Sequence, residues 1–182
     1  MTLASQKLQQ NVAEYLLFLW QMEDLVRAFS FNLETIAGFV RSYAPEGHPY
    51  DEEVEWFDNL IHNMRNDGVE KRGHISEAHE LLLELSYLHN SLINITKDKD
   101  YVDSYHQARP NILAYLERSS AKTLNDVEVC LTALYGLLVL KLRKEFISEE
   151  TEAAMQTFSH LLARLSHHYR LMKQMTFNFY LN

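Results

Sequence analysis

Glu23, Asp24 and Arg27 stand inside an otherwise apolar stretch, EYLLFLWQMEDLVRAF, residues 14–29. Glu23 lies four residues and Asp24 three residues before Arg27, the spacings at which a helix lets an acid pair with a base, and the acid-first order is the favourable one. Arg27 can therefore serve either acid. On a helix, Glu14, Gln21 and Asp24 share one arc and Glu23 falls outside it. That arc either faces water or lines a pocket, and a polar pocket would draw in His62, His74 or His89 from neighbouring segments. The loop RNDGVEKRGH offers a second cluster, Arg65, Asp67, Lys71, Arg72 and His74, at the start of a helix, where backbone N–H groups favour anions. The candidate binding residues are thus Glu14, Gln21, Asp24, Arg27, His62, Arg65, His74 and His89. The competing reading is plainer: ion pairs of little energetic weight and a polar turn between amphipathic helices.

No catalytic set accompanies them. Carboxylate-bridged metals in helical bundles use Glu-x-x-His repeats, and neither that spacing nor His-x-x-x-His occurs in the chain. His160 and His167 are seven apart on a face away from the apolar seam and should meet solvent. There is no Gly-x-Ser-x-Gly elbow, and the five glycines are too scattered for a phosphate loop. Cys130, the one cysteine, sits in the run CLTALYGLLVL and should be buried and inert. No metal and no cofactor is expected. A pocket lined by tyrosine hydroxyls is conceivable among Tyr15, Tyr87, Tyr105, Tyr115 and Tyr135, but aromatic core packing is the default.

The elements that must position these residues are helices. The 182 residues are 47% hydrophobic with 5 Gly and 3 Pro, a composition of long helices and short loops. A first helix is expected from about Ser5 to Ser30, and a second, capped by Asn32, to Tyr43. The loop APEGHPY, residues 44–50, leads to a third that opens with DEEVE and stops at NDG. A fourth spans Ile75 to Ile95 with Ser76 as cap. A fifth runs from about Asp98 to Arg118 and either kinks or restarts at Pro110. Thr123 and Asp126 signal a sixth, ending near Lys144. Its apolar residues from Val127 to Leu142 lie on every side, as in a helix wrapped by neighbours, and Gly136 suggests a close backbone approach. The last helix runs from after Ser148 to about Met175, with a seam of Met155, Phe158, Leu162, Leu165, Tyr169 and Met172. The tail TFNFYLN should dock in extended form or move freely. The expected architecture is all-α, a single-domain bundle of about six to seven helices.

Charge and composition narrow the partners. A net charge of −8 argues against nucleic acid, which is held by Lys and Arg, and against anionic membrane surfaces. The apolar run Val129–Leu140 is too short to span a bilayer. A lone cysteine and an N-terminus without a signal-peptide core fit a cytoplasmic setting.

The segments NVAEYLLFLWQMEDLVRA, GH at 73–74, ELSYLH at 84–89, CLTALYGLLVLKL and ISEETEAA, in that order, resemble a bacterial, Bacteroidetes-type family, domain of unknown function 4924. The resemblance covers nearly the whole chain. It implies a bacterial cytoplasmic protein of small, all-helical form, and it brings no catalytic residue, cofactor or substrate.

The leading expectation is a non-enzymatic protein that acts through protein–protein contact or homo-oligomerisation. The alternatives are a metabolite-binding protein or unfamiliar enzyme with a polar pocket and, with least support, a ligand-sensing transcriptional regulator.

Overall fold

The structure is a computed structural model and describes residues 1–43, 49–119 and 123–180. Among the described residues all regular secondary structure is helical: α1 (Leu3–Gln10), α2 (Val12–Ala28), α3 (Leu33–Tyr43), α4 (Tyr50–Asn66), α5 (Ser76–Asn94), α6 (Lys99–Arg118), α7 (Asp126–Leu142) and α8 (Glu149–Tyr180). Eight helices replace the expected six to seven. The chain divides into two compact units, Met1–Leu81 and Leu82–Asn182, with the division inside α5.

The extra helix comes from a break at Asn11, within the expected Ser5–Ser30 element. Asn11 is extended (φ −156°, ψ 102°), and its side chain accepts from the N–H groups of Ala13 and Glu14. Asn11 Nδ2 in turn donates to Glu14 Oε1 at 3.0 Å, so cap and acid hold each other. In the first unit α1 packs on α2, and α4 packs on α2 and α3. Leu16, Leu19, Val26, Ile36, Val40, Phe57 and Met64 form its core. Asn32 caps α3 as expected, accepting from Thr35 N–H at 2.8 Å. Most of the expected 44–50 loop lies outside the described residues.

In the second unit α6, α7 and α8 pack on one another. The α8 seam is sound: Phe158, Leu162, Leu165 and Tyr169 are buried, joined by Leu161. Pro110 sits inside a continuous α6 and is exposed. The carbonyl it deprives of a partner belongs to His106, also exposed, where water can replace the lost donor.

Four further expectations change. The start of α7 is set by Asn125 with Glu128 in a reciprocal box, not by Thr123 and Asp126. Ser76 is the first residue of α5 rather than its cap. The tail is helical through Tyr180, because α8 continues past Met175. The second half of α7 is not wrapped: Leu140 and Leu142 are exposed, and a Cβ at Gly136 would meet no atom within 4 Å. No helix of the described residues is long and apolar enough to cross a membrane.

Candidate functional site

The charges of α2 separate by depth. Glu23 is fully buried. Its Oε1 accepts from Ile75 N–H at 2.9 Å, and its Oε2 lies 2.5 Å from His74 Nδ1. The His74 ring stacks on Trp20, with centroids 4.4 Å apart. Arg27 donates from Nη1 to Asp24 Oδ1 at 2.9 Å, from Nη2 to the Val69 carbonyl at 3.0 Å, and again from Nη2 to the Gly73 carbonyl. Asp67 Oδ2 accepts from Ser76 N–H at 2.6 Å. The loop 67–75 is thereby pinned to α2, with Gly68 and Gly73 at φ +68° and +93° supplying its left-handed turns. The helix start that could have taken an external anion already holds two of the chain's own carboxylates, at Ile75 and Ser76.

The other candidates scatter. Glu14 and Asp24 are exposed and Gln21 is half-buried. His62 is exposed. Arg65 is also exposed and lies over the Phe31 ring, 5.6 Å from its centroid. Of the eight, the structure brings together Asp24, Arg27 and His74, around the loop.

His89 belongs to the second unit and is buried. Its Nδ1 is 2.7 Å from the Tyr101 hydroxyl and its Nε2 is 3.7 Å from Asp126 Oδ2. Tyr105 donates to Asp126 Oδ2 at 2.7 Å. The His89 imidazole, and then Tyr105, hold the Asp126 carboxyl below its usual range against the opposing effect of burial. Burial pushes the Tyr101 hydroxyl well above the usual tyrosine range, and Asp126 adds to it. An acid–imidazole–hydroxyl chain has the form of a proton relay. Tyr101 has no solvent exposure, however, so no substrate can reach the hydroxyl. The network satisfies buried polar groups. Burial likewise pushes the Cys130 thiol up and leaves it inert. Among the described residues no cluster of three or more His, Cys, Asp or Glu could hold a metal ion.

The feature that the sequence reading missed is a groove of about 570 Å³ between α6, α7 and α8. Its floor is small: Ala114, Ala133, Gly136 and Ala154. Its larger apolar lining is Tyr115, Leu137, Leu140, Met155 and Phe158, and its polar lining is Asn111, Arg118, Ser119, Thr132, Glu150 and Thr151. The only signal was Gly136 in an apolar run, and it pointed to an internal neighbour that is not there.

A family model described as Domain of unknown function (DUF4924) matches residues 1–176, and the chain belongs to that family. No curated protein and no solved structure matches it.

Proposed function

We propose that the protein works by contact rather than catalysis, and that its working surface is the groove together with the uncovered end of α7, occupied by a second copy of the chain. The observation that carries this is the C-terminal half of α7. It is apolar, yet Leu140 is 40%, Leu142 70% and the following Phe146 92% exposed, beside a groove floored by Gly136. Exposed apolar side chains beside an apolar groove favour an interaction site.

Two further features favour a second copy. A two-fold interface needs one patch to be self-complementary, and here exposed Leu140 and Gly136, four residues apart, share one face of α7 and both line the groove. The rim is also complementary to itself. Exposed Lys141 lies in the last turn of α7 and exposed Arg143 and Lys144 just after it, and exposed Glu149, Glu150 and Glu152 begin α8, with Lys141 Nζ 3.9 Å from Glu152 Oε1 within the chain. A dyad at the groove sets one copy's cations against the other's acids. The buried thiol of Cys130 and the family resemblance support a bacterial cytoplasmic setting.

Size-exclusion chromatography with light scattering tests this. The wild type should be a dimer at tens of micromolar, and Leu142→Asp with Phe146→Asp should be a monomer of unchanged helix content. A wild type that stays monomeric throughout overturns it. The groove's volume also lies within the roughly 300–1,000 Å³ of small-molecule sites, which favours a small apolar ligand as the second reading. Under that reading the protein is monomeric and binds an apolar fluorescent probe that Gly136→Leu excludes.

A further inference from the structure

A second cavity of the second unit, also about 570 Å³, lies between α6 and α8 and has a different chemistry. Its lining is Ser104 and Gln107 from α6, with His160, Ala163, Arg164, His167 and His168 from α8. The polar α8 residues follow at intervals of four, three and one, which places them on one face of the helix. That face is separate from the seam, whose Phe158, Leu161, Leu162 and Leu165 are buried. His160, Arg164 and His167 are exposed, and the His168 side chain is 26% exposed.

The donors are partly oriented already. Arg170 Nη2 lies 3.3 Å from His167 Nδ1. Arginine offers only donors, so Nδ1 accepts and the proton of the neutral ring sits on Nε2. Arg164 Nη1 stands 3.7 Å from Asp100 Oδ2, and His168 Nε2 stands 3.7 Å from Asp98 Oδ1. Both distances exceed a direct hydrogen bond, which leaves these donors able to turn to a ligand.

We infer that this cavity binds a small tetrahedral oxyanion, the phosphate of a free ion or of a small phosphate ester. The forked guanidinium of Arg164 supplies paired donors for it, and the imidazoles and the Gln107 amide supply single ones. Arg164 is the charged side chain of the lining; Asp100 of α6 pairs with it, Asp98, just before α6, pairs with His168, and Arg170 stands beside His167. Each imidazole N–H turned toward the cavity adds a single donor to the paired donors of the guanidinium. This site does not depend on the self-association face.

The test follows imidazole resonances by NMR while ligand is added. Sulfate is the first probe, because its charge is constant across the neutral range. Saturable shifts at His160, His167 and His168 are expected. Arg164→Ala should weaken binding about tenfold at unchanged helix content, since that side chain lies outside the core. Inorganic phosphate and glycerol phosphate then distinguish a free ion from an ester by which saturates first. Linear shifts that never saturate, or equal shifts in Arg164→Ala, overturn the site. Saturation without any shift of the three imidazole resonances overturns the part given to the imidazoles.

Discussion

Ile75 stands just before α5, in the cap position, with an aliphatic side chain that cannot cap the helix and a buried backbone N–H. The acceptor comes from 52 residues away, Glu23 Oε1 at 2.9 Å, while Oε2 takes His74. Glu53 does the same for α1, accepting from Leu3 N–H at 2.6 Å while itself buried. A carboxylate in the core is tolerable when every oxygen is engaged and one partner can carry charge. Helical spacing in the sequence offered Arg27 to both Glu23 and Asp24. Asp24 takes it, because Glu23 points inward and Arg27 reaches the loop carbonyls. The local pairing was legible from a few residues. The capping by Glu23 was not, since it depends on where a loop 50 residues on is folded back. Removing Glu23 strands a buried N–H and an imidazole together. Glu23→Ala should therefore cost roughly 3–5 kcal/mol and Glu23→Gln roughly 1–3, read from urea unfolding midpoints. A loss under about 0.5 kcal/mol for the alanine variant would contradict the role assigned to this residue.

Helix identity was readable throughout because apolar spacing repeats over many residues, whereas helix ends turned on single side chains. Asn11-Val-Ala-Glu14 carries the spacing of a cap and its reciprocal acid, but with no Gly or Pro nearby it read as the interior of one long helix. At α7 the difficulty was of another kind. A sequence apolar on all sides looks the same whether neighbours cover it or a partner does, so the groove could not be seen. Gly136 tests the distinction. A mid-helix glycine is less stable than alanine by about 0.5–1 kcal/mol, and here a Cβ would meet nothing within 4 Å. Gly136→Ala should raise the stability of the isolated chain by about that amount. It should at the same time weaken self-association, because the added methyl group narrows the floor of the groove. Thermal unfolding at low concentration and sedimentation at high concentration should thus move in opposite senses. Parallel changes, or no change in association, would remove Gly136 from the interface.

At the scale of the molecule, an acidic all-helical chain was evident from composition, but its division into two compact units was not, because α5 runs without a break through the boundary. Both units carry tyrosines whose hydroxyls are held protonated. Burial raises Tyr15 in the first unit, with Glu77 accepting from it at 2.6 Å. Burial raises Tyr101 in the second, and raises Tyr169, whose hydroxyl donates to Glu84. The more exposed Tyr105 is pushed up to about 12 by the same cause and by Asp126. At the acid end the sign is opposite. Asp126 and Glu84 titrate below their usual ranges, Glu84 because Lys173 and Tyr169 outweigh its burial. Their contribution is present above the unfolded carboxylate value and is lost as pH falls through the folded one. For the tyrosines the folded value is the higher one. Their contribution is complete below the unfolded value near pH 10 and declines as pH rises beyond it. Each raised hydroxyl removes about 1.4 kcal/mol per pH unit in that window. Tyr15, Tyr101 and Tyr169 together, all at least nine-tenths buried, should steepen the fall to roughly 4 kcal/mol per unit above about pH 10. Urea unfolding across the alkaline range, followed by tyrosinate absorbance, should show ionisation and unfolding arriving together. Tyr169→Phe should lower stability at neutral pH by removing the bond to Glu84, and should reduce the alkaline slope by about one proton. Tyrosinate that forms near pH 10 while the helices persist would show that these hydroxyls are not held as the packing requires.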